Sequence, residues 1–183
     1  KNYAGGSELR GKTMGVIGFG RIGQETAKIA LGVGMNVVAH DPFMDKAELK
    51  VVLGNGATVD VSIVMDSFET VLKEADFISL HVPAQDKPVI GQKELSMMKK
   101  GAGLINAARG GVIDEEALLN ALDKEQLSFA GLDPFANEPN PAMKVLMHPS
   151  VSLTPHIGAA TQEAQDRIGT ELAQQIHAIL GGT

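Results

Sequence analysis

The stretch Met14-Gly-Val-Ile-Gly-Phe-Gly-Arg-Ile-Gly23 decides how the rest of the chain is read. Gly18, Gly20 and Gly23 stand in G-x-G-x-x-G spacing, directly after an apolar strand pattern and directly before a helical one, which is the context that gives the motif its meaning. Gly18 permits a tight turn, Gly20 lets the backbone approach a pyrophosphate with no Cβ in the way, and Gly23 lets the helix pack closely on the strand. The amides at the helix start then face the phosphates, and the helix dipole favours their charge. Asp41 follows 23 positions after Gly18, at the end of the next apolar run. A carboxylate there accepts hydrogen bonds from an adenosine ribose and repels a 2′-phosphate, so the expected cofactor is NAD rather than NADP.

Outward from this stretch the pattern alternates. Strands are expected at about 13–18, 35–40, 59–64, 77–80, 104–107, 129–132 and 151–154. Helices are expected at about 21–33, 45–53, 67–75, 92–99, 114–124 and 161–180, with a helical turn reaching Met147. Gly54-Asn55-Gly56 closes the second helix, Ser67 caps the third, and Asp114 caps the fifth with Glu115 and Glu116 in its first turn. Residues 1–12, with Gly5-Gly6 and a short turn at 7–9, read as an entry segment, and Gly181-Gly182 closes the last helix. Strands alternating with helices imply right-handed crossovers. The expected fold is therefore α/β, a doubly wound parallel sheet of the Rossmann type, with about seven strands and helices on both faces.

Composition narrows the function. A chain of 183 residues suits one domain with a substantial core, since folds of this size bury about 70% of their unfolded surface. No apolar run approaches the roughly 20 residues needed to cross a bilayer, and no signal peptide opens the chain, so a cytoplasmic protein without membrane contact is expected. The lack of cysteine excludes disulfides, a thiol nucleophile and thiolate metal sites, and no metal is expected. A formal charge of −6 argues against nucleic acid, which needs a basic face.

Polar residues that look out of place gather at the strand ends: Asp41, His81, Asn106 with Arg109, Asp133 and His156. In an open parallel sheet these carboxyl ends share one edge, where ligands bind. Arg109, Glu138 and His156 make a candidate catalytic set. Each alone has an ordinary reading, as a surface cation, a solvated loop carboxylate and a loop histidine.

Their flanks carry more. Asn106-Ala-Ala-Arg109-Gly-Gly-Val-Ile-Asp114, Gly131-Leu-Asp133-Pro-Phe-Ala-Asn-Glu138-Pro139 and Thr154-Pro-His156-Ile-Gly158-Ala-Ala-Thr161 resemble the three signatures of the D-isomer-specific 2-hydroxyacid dehydrogenases. The spacing matches too, with 29 positions from Arg109 to Glu138 and 18 from Glu138 to His156. The resemblance runs from about Leu9 to Leu180, and the run from Thr154 to Gln165 is most similar to the phosphoglycerate dehydrogenase branch.

The resemblance implies an NAD-dependent oxidoreductase acting on a small-molecule 2-hydroxy or 2-oxo acid, 3-phosphoglycerate being the preferred expectation. His156 would be the general acid and base, Glu138 its partner that favours the charged ring and fixes its tautomer, and Arg109 the holder of the substrate carboxylate and carbonyl. On the cofactor side, Arg21 and Ile22 would present amides to the pyrophosphate and Val82 and Pro83 would line the adenosine. Ala107 and Asp133 would lie near the nicotinamide, with Asp133 accepting from its carboxamide, and Gly158 would leave room for the ring. His81, Ala108 and Ala159 complete the set, with Arg109 and His156 bordering it.

Two departures from the family pattern stand out. Pro134 replaces an aliphatic residue and removes a backbone amide, which resets the loop carrying Glu138 or is tolerated because the strand has ended. Family members also have a second domain that closes over the substrate. Residues 1–183 are therefore expected to be the dinucleotide-binding domain of a longer two-domain enzyme, weakly active or inactive alone and a homodimer when intact. The competing expectation is an NADH-sensing interaction module like the C-terminal-binding-protein corepressors, which keep the Arg, Glu and His. Formate dehydrogenases have a glutamine where Glu138 stands, so Glu138 favours a protonating histidine.

Overall fold

Strand β1 (Thr13–Ile17) sends successive side chains to opposite faces of a sheet, and the two faces organise the molecule. Val16 enters a cluster with Phe19, Ala27 and Ala39, while Ile17 enters a larger one with Val71, Ile78, Leu80 and Leu104. The structure is a computed structural model and describes residues 6–181. The first five residues of the expected entry segment and Gly182 lie outside the described residues. The turn expected at 7–9 falls instead at Arg10-Gly11, where Lys12 N donates to Leu9 O at 3.0 Å.

After β1 come α1 (Arg21–Gly32), β2 (Asn36–His40), β3 (Lys46–Val52), β4 (Thr58–Val64), α2 (Phe68–Glu74) and β5 (Phe77–Leu80). The second half holds α3 (Gln92–Met97), β6 (Ala102–Asn106), α4 (Glu115–Asp123), β7 (Leu127–Leu132), α5 (Met143–Leu146), β8 (Val151–Leu153) and α6 (Gln162–Leu180). Six strands form one sheet in the order β2-β1-β5-β6-β7-β8, with every pairing parallel. From β1 the chain winds outward to β2 and then returns to β5 on the other side. This reversal opens a crevice at the strands' carboxyl ends. Helix α1 covers one face, and α2, α3, α4 and α5 supply the other face's cluster through Val71, Leu95, Leu118 and Val145. The doubly wound α/β class is thus as expected.

The caps follow the residues that announce them. Ser67 Oγ accepts Thr70 N at 3.1 Å, and Asp114 Oδ1 accepts Glu116 N and Ala117 N, each at 3.0 Å. β6 begins at Ala102, so Ala102 and Gly103 belong to a strand expected only from about 104. Burial between β5 and β7 overrides their weak strand preference.

The expected helix at 45–53 is absent. Its residues form β3, paired antiparallel with β4, and the two make a separate sheet. Ala47, Leu49 and Val51 are buried while Lys46, Glu48 and Lys50 are exposed, a strict period of two that a helix cannot use. Gly54-Asn55-Gly56 turns the hairpin, with Leu53 N donating to Ala57 O at 2.8 Å. The segment at 59–64 is a strand but not a member of the parallel sheet, which therefore has six strands rather than seven. A single bridge, Ala39 to Met65, joins the hairpin's end to β2.

Candidate functional site

The glycine turn is fixed by what surrounds it. Gly18 has φ +88°, and a Cβ there would sit 2.5 Å from His81 O. A Cβ on Gly23 would fall far inside contact distance of Gly18 O, so this glycine sets how closely α1 approaches β1. A Cβ on Gly20 would meet open space. Gly20 also caps α1 and offers no side-chain acceptor, leaving the first-turn amides around Arg21 and Ile22 directed at that space. These are the properties that a bound pyrophosphate requires.

Asp41 stands against the glycine turn. Its Oδ2 accepts Phe19 N at 2.8 Å and its Oδ1 accepts Phe43 N at 2.9 Å, so the carboxylate is tied to the glycine turn from 22 residues away. His81 lies against the same turn through its backbone. Its ring bonds Ser79 Oγ at 2.9 Å, and burial pushes its pKa down. Val82 is half-buried and Pro83 exposed beyond it.

A cavity of about 620 Å³ runs from Arg21 and Ile22 to Gly158, Ala159 and α6. Along it Arg21 makes a bidentate pair with Glu171, at 2.7 and 2.8 Å. The pair is exposed, and it fastens a 19-residue helix that carries no buried residue.

A second, open pocket of about 450 Å³ is lined by Arg109, Phe135, Glu138 and His156 together. Asn106, 2% exposed, builds the arginine's turn: Oδ1 accepts Ala108 N at 3.0 Å, and Nδ2 donates to Arg109 O at 2.9 Å and to Pro134 O at 3.2 Å. Pro134 is therefore tolerated, because its carbonyl rather than its missing amide is used. Ala107 and Arg109 are exposed and Ala108 buried, with Arg109 Nη1 donating to Ala108 O at 2.6 Å. Glu115 Oε1 accepts Ala136 N at 2.6 Å and Glu138 Oε1 accepts Phe135 N at 3.2 Å, which pins the loop between β7 and α5.

Glu138 Oε2 lies 3.0 Å from His156 Nδ1. With its proton on Nδ1, the imidazole donates to the carboxylate and leaves Nε2 free for a ligand. His156 has φ +55°, in the left-handed region, and its N donates to Asp133 O at 3.1 Å. Asp133 in turn accepts from Thr154, Ile157 and Gly158. The strand ends thus deliver the residues picked out in the sequence, Asn106 among them, while Glu115 and Thr154 emerge as supports whose partners, Ala136 and Asp133, each lie 21 residues away along the chain. Among the described residues no cluster of His, Asp or Glu could hold a metal, and no helix is long and apolar enough to cross a membrane.

The bond to His156 holds the Glu138 carboxyl below the ordinary carboxylate value. Burial pushes Asp133 up, but its bonds from Thr154, Ile157 and Gly158 outweigh that and hold it down. A depressed carboxyl stabilises the fold above its unfolded value and ceases to as pH falls through its folded one. Both act on the turn at 154–158, so thermal scans should show the midpoint falling as pH drops below about 4, where the carboxyls of the unfolded chain take up protons before the folded ones do. The fall should be shallower in Asp133→Asn; an identical acid limb in that variant would contradict the assignment.

A family model described as "D-isomer specific 2-hydroxyacid dehydrogenase, NAD binding domain" matches residues 1–158. The chain is 45% identical to a D-3-phosphoglycerate dehydrogenase of Methanocaldococcus jannaschii over 179 residues, covering 97% of this chain and 33% of that protein. It is 45% identical to a hydroxypyruvate reductase of Thermotoga maritima, covering 96% of this chain and 55% of the relative. The D-lactate dehydrogenase of Lactobacillus jensenii, solved with NAD+, superposes with a TM-score of 0.77 at 34% identity, over 96% of this chain and 55% of that one. The chain spans about a third of the length of the phosphoglycerate dehydrogenases it matches.

Proposed function

Because the chain belongs to the D-isomer-specific 2-hydroxyacid dehydrogenases, matching their NAD-binding domain, we propose that it binds NAD and carries the acid–base residues for oxidising a D-2-hydroxy acid, 3-phosphoglycerate in particular. The observation that carries this reading is the pairing of His156 Nδ1 with Glu138 in one pocket with Arg109, two residues before the Gly158 that shares a cavity with Arg21 and Ile22. The phosphoglycerate dehydrogenases among the relatives support the substrate.

Gly18, Gly20 and the first-turn amides of α1 would hold the pyrophosphate, Asp41 the adenosine ribose, and Ala107, Asp133 and Gly158 the nicotinamide end. Bound cofactor supplies the hydride in one direction and accepts it in the other. Arg109 binds the substrate carboxylate and draws charge toward the carbonyl oxygen. His156 Nε2 gives that oxygen a proton in reduction and removes it from the hydroxyl in oxidation. Glu138 keeps a proton on Nδ1, so the exchangeable proton stays at Nε2, and its charge offsets the imidazolium. The pair is partly exposed, with side chains 47% and 34% accessible, so water screens it. We further propose that the chain is one domain of a longer enzyme and turns over weakly alone, since closure by a second domain would expel that water. The share of its relatives that it covers supports this.

The direct test is cofactor choice by titration calorimetry. NADH should bind at least tens of times more tightly than NADPH, because Asp41 meets a 2′-phosphate with like charge. Equal dissociation constants would remove the reading of Asp41, and no heat with either cofactor would remove the proposal.

A further inference from the structure

Four hydrogen bonds gather on Asp133, at the end of β7. Thr154 Oγ1 donates to Oδ1 at 2.6 Å, Ile157 N donates to Oδ1 at 2.8 Å and Gly158 N donates to Oδ2 at 2.9 Å. His156 N donates to the same residue's carbonyl at 3.1 Å. Every donor comes from one five-residue turn, and His156 sits in its middle with φ +55°. A side-chain-bearing residue holds that conformation only where its surroundings over-determine it. Here the surroundings are the bonds to Asp133 on the backbone side and Glu138 on the ring side.

A carboxylate offers about four acceptor positions. Oδ1 has two donors and is filled, whereas Oδ2 has one and keeps a position open. A Cβ on Gly158 would stand 2.9 Å from Oδ2, so the glycine leaves that oxygen accessible. Of the three donors to the carboxylate, the Thr154 hydroxyl is the one supplied by a side chain, and its bond is the shortest. It gives Oδ1 a second donor, where the amides of Ile157 and Gly158 supply one to each oxygen.

We propose that Thr154 is a positioning residue for the reaction: its hydroxyl locks the Asp133 carboxylate so that Oδ1 holds the His156 turn and Oδ2 is presented to an amide donor, the carboxamide of a nicotinamide. One carboxylate then sets both the cofactor's reactive end and the imidazole. This rests on the reading of His156 and of the NAD site given above.

Thr154→Val keeps the shape and removes the hydroxyl, and Thr154→Ser restores it. The probes are NADH and the reduced 3-acetylpyridine analogue, which lacks the amide donor, each titrated into the chain by calorimetry. The wild type should prefer NADH by about tenfold, the worth of a hydrogen bond to a charged acceptor. Thr154→Val should lose most of that preference while binding the analogue unchanged, and Thr154→Ser should regain it. Nitrogen-15 spectra of the histidines should show the Nδ1-bonded form of His156 in the wild type and serine variants, averaged away in valine. A uniform loss for both cofactors would mark Thr154 as merely structural, and an unchanged preference and spectrum in Thr154→Val would overturn the inference. If the wild type binds neither cofactor, the NAD reading itself has failed, a result distinct from either.

Discussion

A Gly23→Ala variant loses measurable NADH binding and at least about 2 kcal/mol of stability, because one methyl group cannot be placed without dismantling the turn. Its Cβ would run into Gly18 O, a backbone atom that cannot swing aside as a flexible side chain would. Gly18 is itself held by its N donating to His40 O at 2.9 Å, and the next amide is bonded to Asp41. Relief therefore requires α1 to move off β1, which opens the cluster of Val16, Phe19 and Ala27 and misaims the first-turn amides. Overpacking at a tight contact costs about 1–3 kcal/mol and sometimes more. Urea denaturation and calorimetry read the two effects. Gly20→Ala is the control, since its Cβ meets open space: that variant should keep the fold and lose affinity alone. Wild-type stability and affinity in Gly23→Ala would refute the packing argument.

The second large effect lies in the chemistry. In the two-domain dehydrogenase proposed to contain this domain, His156→Asn should lower kcat by about 10²–10⁴-fold while changing the dissociation constant for NADH less than about threefold. Asparagine is the informative replacement because it tolerates the left-handed backbone held at this position, so the turn survives while the proton carrier goes. A parallel loss of NADH affinity would instead mean that the turn had collapsed. Glu138→Gln separates charge from geometry: it can still accept from Nδ1 but no longer offsets an imidazolium. Its loss should concentrate in kcat for the reaction direction that leaves His156 charged.

The sequence announces the elements whose determinants are local. The glycine spacing, Ser67 and Asp114 specify a turn and two caps within a few residues, and all three form as read. The segment at 45–53 was also legible in principle, since Ala47, Leu49 and Val51 alternate with Lys46, Glu48 and Lys50. Gly54-Asn55-Gly56, read as the end of a helix, turns a hairpin instead. The supports of the site are legible only in part, since Asn106 stands out at its strand end while the long-range contacts do not. Asn106 reaches Pro134 across 28 residues and Glu115 reaches Ala136 across 21, contacts that exist only once β6 and β7 lie side by side. Nor does a threonine before a proline reveal that its hydroxyl will find a carboxylate from the neighbouring strand.

The clasp between Arg21 and Glu171 bears on how the domain meets its cofactor. A cation at the mouth of a phosphate site ordinarily advertises itself over a Debye length and draws anions in. This one is already spoken for by a carboxylate, in a molecule of net charge −6. Recognition is thereby shifted from long-range attraction to short-range fit. An approaching dinucleotide would gain little until its phosphates met the turn, and added salt, by screening the repulsion between two anions, should hasten the encounter rather than slow it.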